Sequence, residues 1–81
     1  MPRQRINYFR DTYVFPEDFP QRLIRFKEES RLPWAEIARC IGTYAHTVWR
    51  WKEGLGRPNA QHMMALLKLA DDHGLGHLFT D

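Results

Sequence analysis

The stretch Pro33-Trp34-Ala35-Glu36-Ile37-Ala38-Arg39-Cys40-Ile41-Gly42, continued by Thr43-Tyr44-Ala45-His46-Thr47-Val48-Trp49-Arg50-Trp51-Lys52-Glu53-Gly54, decides how this chain is read. Ile37, Ala38 and Ile41 recur at helical spacing and define one buried face, which predicts a helix over about residues 33–41. Pro33 suits its first position, where a missing N–H costs little, and Gly42 suits its end, where a left-handed backbone is cheap only for glycine. A second helix is predicted over about residues 44–53, stopped by Gly54. Joining two short helices by so few residues forces them close together and sharply crossed. On a wheel of ~100° per residue, Val48 and Trp51 form the inner face of the second helix. His46, Arg50 and Glu53 then point outward, with Trp49 beside them.

Outward from this pair, the flanking segments also read as helices. Phe19, Leu23 and Phe26 make one apolar stripe over residues 19–30, with Asp18 as N-cap and Pro20 in the first turn. Leu32 closes the turn that follows. Residues 55–58 form a loop, and Asn59 caps a helix running to about residue 73, with Met63, Leu66, Leu67 and Ala70 on its apolar face. Gly74 stops it, and Leu75, Leu78 and Phe79 predict a last short turn packed back on the core. The first 15 residues lack helical periodicity and alternate polar with aromatic residues (Tyr8, Phe9, Tyr13, Phe15), as an extended arm or short strand does. The expected organisation is therefore a basic, aromatic arm over 1–17 and a helix-turn-helix domain over 18–81. The fold class is all-α: a compact domain of four to five helices with an extended N-terminal arm.

With 81 residues the chain holds one domain and no deep, enclosed active site besides its core. Hydrophobic residues at 43% and charged residues at 27% match a globular chain rather than a disordered one. No apolar run approaches the ~20 residues of a membrane helix, and Met1-Pro2-Arg3-Gln4-Arg5 leads into no apolar signal region. Cys40 is the lone cysteine, so no internal disulfide forms, which fits a reducing cytoplasm, bacterial or that of a virus's host. Net charge is only +2, but its distribution is uneven. Arg3, Arg5 and Arg10 open the chain; Arg39, Arg50, Lys52 and Arg57 face the single acid Glu53 in the middle; Asp71, Asp72 and Asp81 close it. That pattern fits either one face meant for a polyanion or ordinary solvated charge.

The marks Ala38, Gly42, Val48, Trp51 and Gly54, followed by Arg57-Pro58, resemble the lambda-repressor/Cro-like helix-turn-helix family. The resemblance extends from about residue 19 to residue 79 and leaves out the aromatic arm. It implies a lambda-repressor-like DNA-binding domain that binds double-stranded DNA sequence-specifically, as a repressor-like transcriptional regulator of a phage or bacterium. By resemblance the base-reading positions fall on Tyr44, Ala45, His46 and Arg50. Arg50 can bond guanine O6 and N7 together, His46 can donate or accept at a base edge, and Ala45 offers only a methyl contact. Tyr44 or Thr43 contacts phosphate or caps the helix. Arg57 is a phosphate candidate, and Arg3 and Arg5 can enter a groove as basic arms do. The sequence departs from the family pattern at Trp34, Tyr44 and Trp49. Trp34 is read as helix packing; Trp49 either stacks on the DNA backbone or is covered by the arm.

Other chemistries find little support. His73 and His77 are separated by Gly74 and Gly76, and His46 and His62 lack ligands at metal spacing, so no metal is expected. Cys40 reads as packing. No nucleophile–base–orienter arrangement and no Gly-rich phosphate loop is present, so neither catalysis nor a cofactor nor a small-molecule ligand is expected. Met63 and Met64 read as core and, with Leu78 and Phe79, as a surface for a possible homodimer. Two alternatives stand beside the regulator: an antitoxin or other protein-interaction module using the aromatic arm, and an accessory DNA-binder in recombination.

Overall fold

A computed structural model describes residues 15–80. Among them the chain forms five helices and no strand. They are α1 (Phe19–Ser30), α2 (Trp34–Ile41), α3 (Ala45–Lys52), α4 (Ala60–Asp72) and α5 (His77–Thr80). The all-helical class is as expected. The arm over residues 1–14, with Arg3, Arg5, Arg10 and its first aromatics, lies outside the described residues.

Each helix contributes its apolar stripe to one core. α1 supplies Phe19, Leu23 and Phe26; α2 supplies Ile37, Ala38 and Ile41; α3 supplies Val48 and Trp51; α4 supplies Met63, Leu66 and Ala70. α5 closes the core with Leu78 and Phe79. The Phe79 ring sits 5.7 Å from Phe26 and 5.9 Å from Phe19, centroid to centroid. Phe15 meets Phe19 edge-on at 5.1 Å. Trp34 is half-buried against the core with the Lys27 ammonium over its ring, as a packing residue should be.

The ends of the helices depart from expectation in detail. Asp18 stands at the N-cap of α1 without a side-chain capping bond, because its carboxylate takes the Nε–H of Arg22 at 2.8 Å. The Arg22 guanidinium also donates to the Leu78 carbonyl, tying α1 to α5. Arg31, not a glycine, ends α1 in the left-handed region at φ 63°, its N–H bonded to the Lys27 carbonyl at 2.9 Å. Pro33 is the extended N-cap of α2 rather than its first helical residue. Asn59 caps α4 as expected, accepting the His62 N–H at 2.8 Å.

Two side chains read as buried are exposed. Cys40 is exposed on α2, with its thiol 3.8 Å from a Glu36 carboxylate oxygen. Met64 is 47% exposed while Met63 is buried, because adjacent helical residues point ~100° apart and only one can face the core. Leu78 and Phe79 pack in the core, as expected of the last short turn, and so add little exposed area to the surface considered for a homodimer.

Candidate nucleic-acid interface

α2 and α3 are joined by Gly42, Thr43 and Tyr44 alone. Gly42 adopts φ 89°, and its N–H and that of Thr43 both return to the Ala38 carbonyl at 2.9 Å. This left-handed cap turns the chain at once, so α3 starts against α2. α3 also packs on α1 through Val48, which is wholly buried, and Trp51, which is 4% exposed. The Trp51 ring is backed in turn by His62 of α4 at 5.9 Å. With one face pinned by two helices, the rotation of α3 about its own axis has no freedom left.

The opposite face is therefore set. His46, Trp49, Arg50 and Glu53 are all exposed, as the wheel requires, and Ala45 on the flank is exposed too. Tyr44, the N-cap residue, is 80% exposed. It has extended backbone angles and makes no side-chain capping bond. Thr43 does not supply the cap in its place, since α3 has no side-chain cap at all. Thr43 stands one residue ahead of the N-cap position, half-buried in the tight turn where its N–H closes α2. The first N–H groups of an uncapped helix, together with the helix dipole, favour an anion.

Charge around α3 is asymmetric. Arg39 is paired with Glu36, and Lys52 with Glu53. Arg50 and Arg57 make no ion pair among the described residues. Arg50 reaches only the Leu55 carbonyl, at 3.5 Å, a distance at the limit of a hydrogen bond. Arg57 is exposed on the loop after α3, its guanidinium 5.2 Å from the Phe15 ring centroid.

Thus Ala45, His46, Trp49 and Arg50 share one helix, Tyr44 stands at its N-cap, and Arg57 stands on the loop that leaves it. Arg3 and Arg5 lie outside the described residues. Trp49 is 43% exposed, and its ring stacks with His46 at 6.0 Å and 17°. Sequence counted Lys52 in the basic middle of the chain but gave it no role, although its spacing of three from Trp49 was a readable signal. Its ammonium stands 5.5 Å from the Trp49 ring centroid. Among the described residues no three of His, Cys, Asp and Glu converge as a metal site would require, and no helix is long and apolar enough to cross a membrane. Comparison with known proteins returns no match among family models, curated proteins or solved structures.

Proposed function

We propose that this chain binds duplex DNA sequence-specifically, with α3 in the major groove, and acts as a transcriptional regulator of the lambda-repressor/Cro-like kind. One observation carries the reading. α3 is locked to the core by Val48 and Trp51 while its outward side presents exposed His46, Trp49 and an acid-free Arg50. The major groove accepts an α-helix and displays a distinct donor and acceptor pattern for each base pair. A rigid helix with polar, hydrogen-bonding side chains on its open face is what such readout needs. Tyr44, Ala45, His46 and Arg50 are the base-reading set in this proposal. Thr43, Trp49 and Arg57 serve the backbone, and backbone contacts fix register without carrying sequence information. The protein would act by occupancy, blocking or recruiting polymerase, in a reducing cytoplasm where its DNA is.

The experiment is selection of bound DNA from a random duplex library at near-physiological salt. Specific binders exceed their own non-specific affinity by about 10³-fold or more. An inverted repeat would support a dimer on two half-sites about one helical turn apart, and an unsymmetrical motif a monomeric reader. No motif, with binding lost at modest salt, would sink the proposal.

A further inference from the structure

His46, Trp49 and Lys52 are spaced by three, so they lie along one ridge of α3. His46 stacks on the Trp49 ring from one turn before, and the Lys52 ammonium meets the ring from one turn after, at 5.5 Å. The Lys52 side chain is only 21% exposed, with its ammonium held at the indole. Its ammonium also pairs with the Glu53 carboxylate. Adjacent residues within a helix do not normally face each other. These two meet where α3 ends: Glu53 is the C-cap residue, at φ −86° and ψ −2°. Lys52 therefore has two different partners. The indole fixes where the ammonium sits without neutralising it, and the carboxylate neutralises it. Only the carboxylate competes with another anion.

We propose that Lys52 binds a DNA backbone phosphate, that Trp49 is its positioning residue, and that Glu53 holds the ammonium in the free protein as a stand-in for that phosphate. The inference rests on the DNA-binding reading. On the helical wheel Lys52 falls between the buried Val48 and the exposed Trp49, on the flank of α3 rather than its outward centre. The flank of a helix lying in the major groove meets the sugar–phosphate backbone, while the centre meets base edges. On binding, the ammonium exchanges a carboxylate oxygen for a phosphodiester oxygen; no covalent bond changes and no proton moves. By competing for the ammonium in the free protein, Glu53 acts as a brake on affinity.

The test measures affinity for a random-sequence duplex across a salt series, using wild type, Lys52→Gln, Glu53→Gln and the double variant. Glu53→Gln is expected to tighten wild-type binding several-fold, and to have little effect once Lys52 is already Gln. Such non-additivity is the signature of residues acting as a unit. Lys52→Gln should reduce the slope of log affinity against log salt by about 0.9, the value for one phosphate contact. Trp49→Ala should reduce the slope in the same sense, and Trp49→Phe, which keeps a ring face, should restore it. A gain from Glu53→Gln that is equal with and without Lys52 would mean a general charge effect and overturn the proposal. Weaker binding by Glu53→Gln would overturn it too, by showing that the carboxylate itself contacts DNA. If wild type binds duplex and Lys52→Gln leaves the slope unchanged, this inference alone falls; if wild type binds no duplex, the DNA-binding reading falls and takes this one with it.

Discussion

Arg50 is exposed, has no acid partner among the described residues, and touches only a carbonyl at the edge of bonding distance. A guanidinium carries five donors in a fixed fork, so nearly all of its bonding capacity is open to a ligand. In the DNA-binding reading, Arg50→Ala should lower preference for the selected sequence by the equivalent of about 1–3 kcal/mol, and lower affinity for random duplex much less. Equal losses on both would remove Arg50 from the reading set. Arg50→Lys should not restore preference, because a point charge cannot make the paired bonds. The outward aim of Arg50 was legible in sequence, since Val48 and Trp51 settle which way the helix faces. Cys40 and Met64 were not legible in the same way. Residue type says that a side chain tolerates burial, and only packing says whether a neighbour is there to bury it.

At the scale of the element, α4 and α2 depend on different devices. α4 starts on a true cap, the side-chain Oδ1 of Asn59 accepting from the His62 N–H. Asn59→Ala should cost about 0.5–2 kcal/mol in chemical denaturation, and Asn59→Asp should keep most of that. No measurable loss would mean that water replaces the cap at no cost. α2 has no side-chain cap, but Glu36 stands in its first turn and Arg39 in its last, each matched to the helix dipole. The hydrogen bond from Arg39 pulls the Glu36 carboxyl below its ordinary value. A depressed carboxyl contributes stability above its unfolded-state pKa, near 4.3 for a glutamate, and loses it as pH falls through the lower folded value. NMR titration should therefore find Glu36 below the usual glutamate range and returned toward it by Arg39→Ala. The stability difference between wild type and that variant should shrink over the same acid window. A Glu36 midpoint unmoved by Arg39→Ala would show that the pair does not form in solution.

At the scale of the whole molecule, α5 is the piece that makes the core close. It has four residues, too few to be a stable helix alone, yet it buries Leu78 and Phe79. Phe79 joins Phe19 and Phe26 in one aromatic cluster, and the Arg22 guanidinium holds the Leu78 carbonyl from α1. Phe79→Ala should cost about 3–5 kcal/mol, a large share of the roughly 5–15 kcal/mol available to a domain. Urea denaturation checks it. A cost below about 1 kcal/mol would mean that α5 frays independently of the rest. Because α1 bears directly on α3, loosening this cluster should also relax the face that α3 presents.

Every helix and most of the buried face could be read from local sequence. Apolar spacing, Gly42, Gly54 and Asn59 are local signals, and a helix obeys a period that its own residues write. Val48 and Trp51 alone implied that His46 and Arg50 look outward. Tertiary structure decided what depends on residues distant along the chain or on competition between partners. It sent the Asp18 carboxylate to Arg22 instead of to a cap, and put Arg31 in a left-handed turn that no glycine announced. It also exposed Cys40 and Met64. Lys52 shows the same limit most plainly: its charge is written in the sequence, but its place between an indole and a carboxylate exists only once α3 has formed and ended.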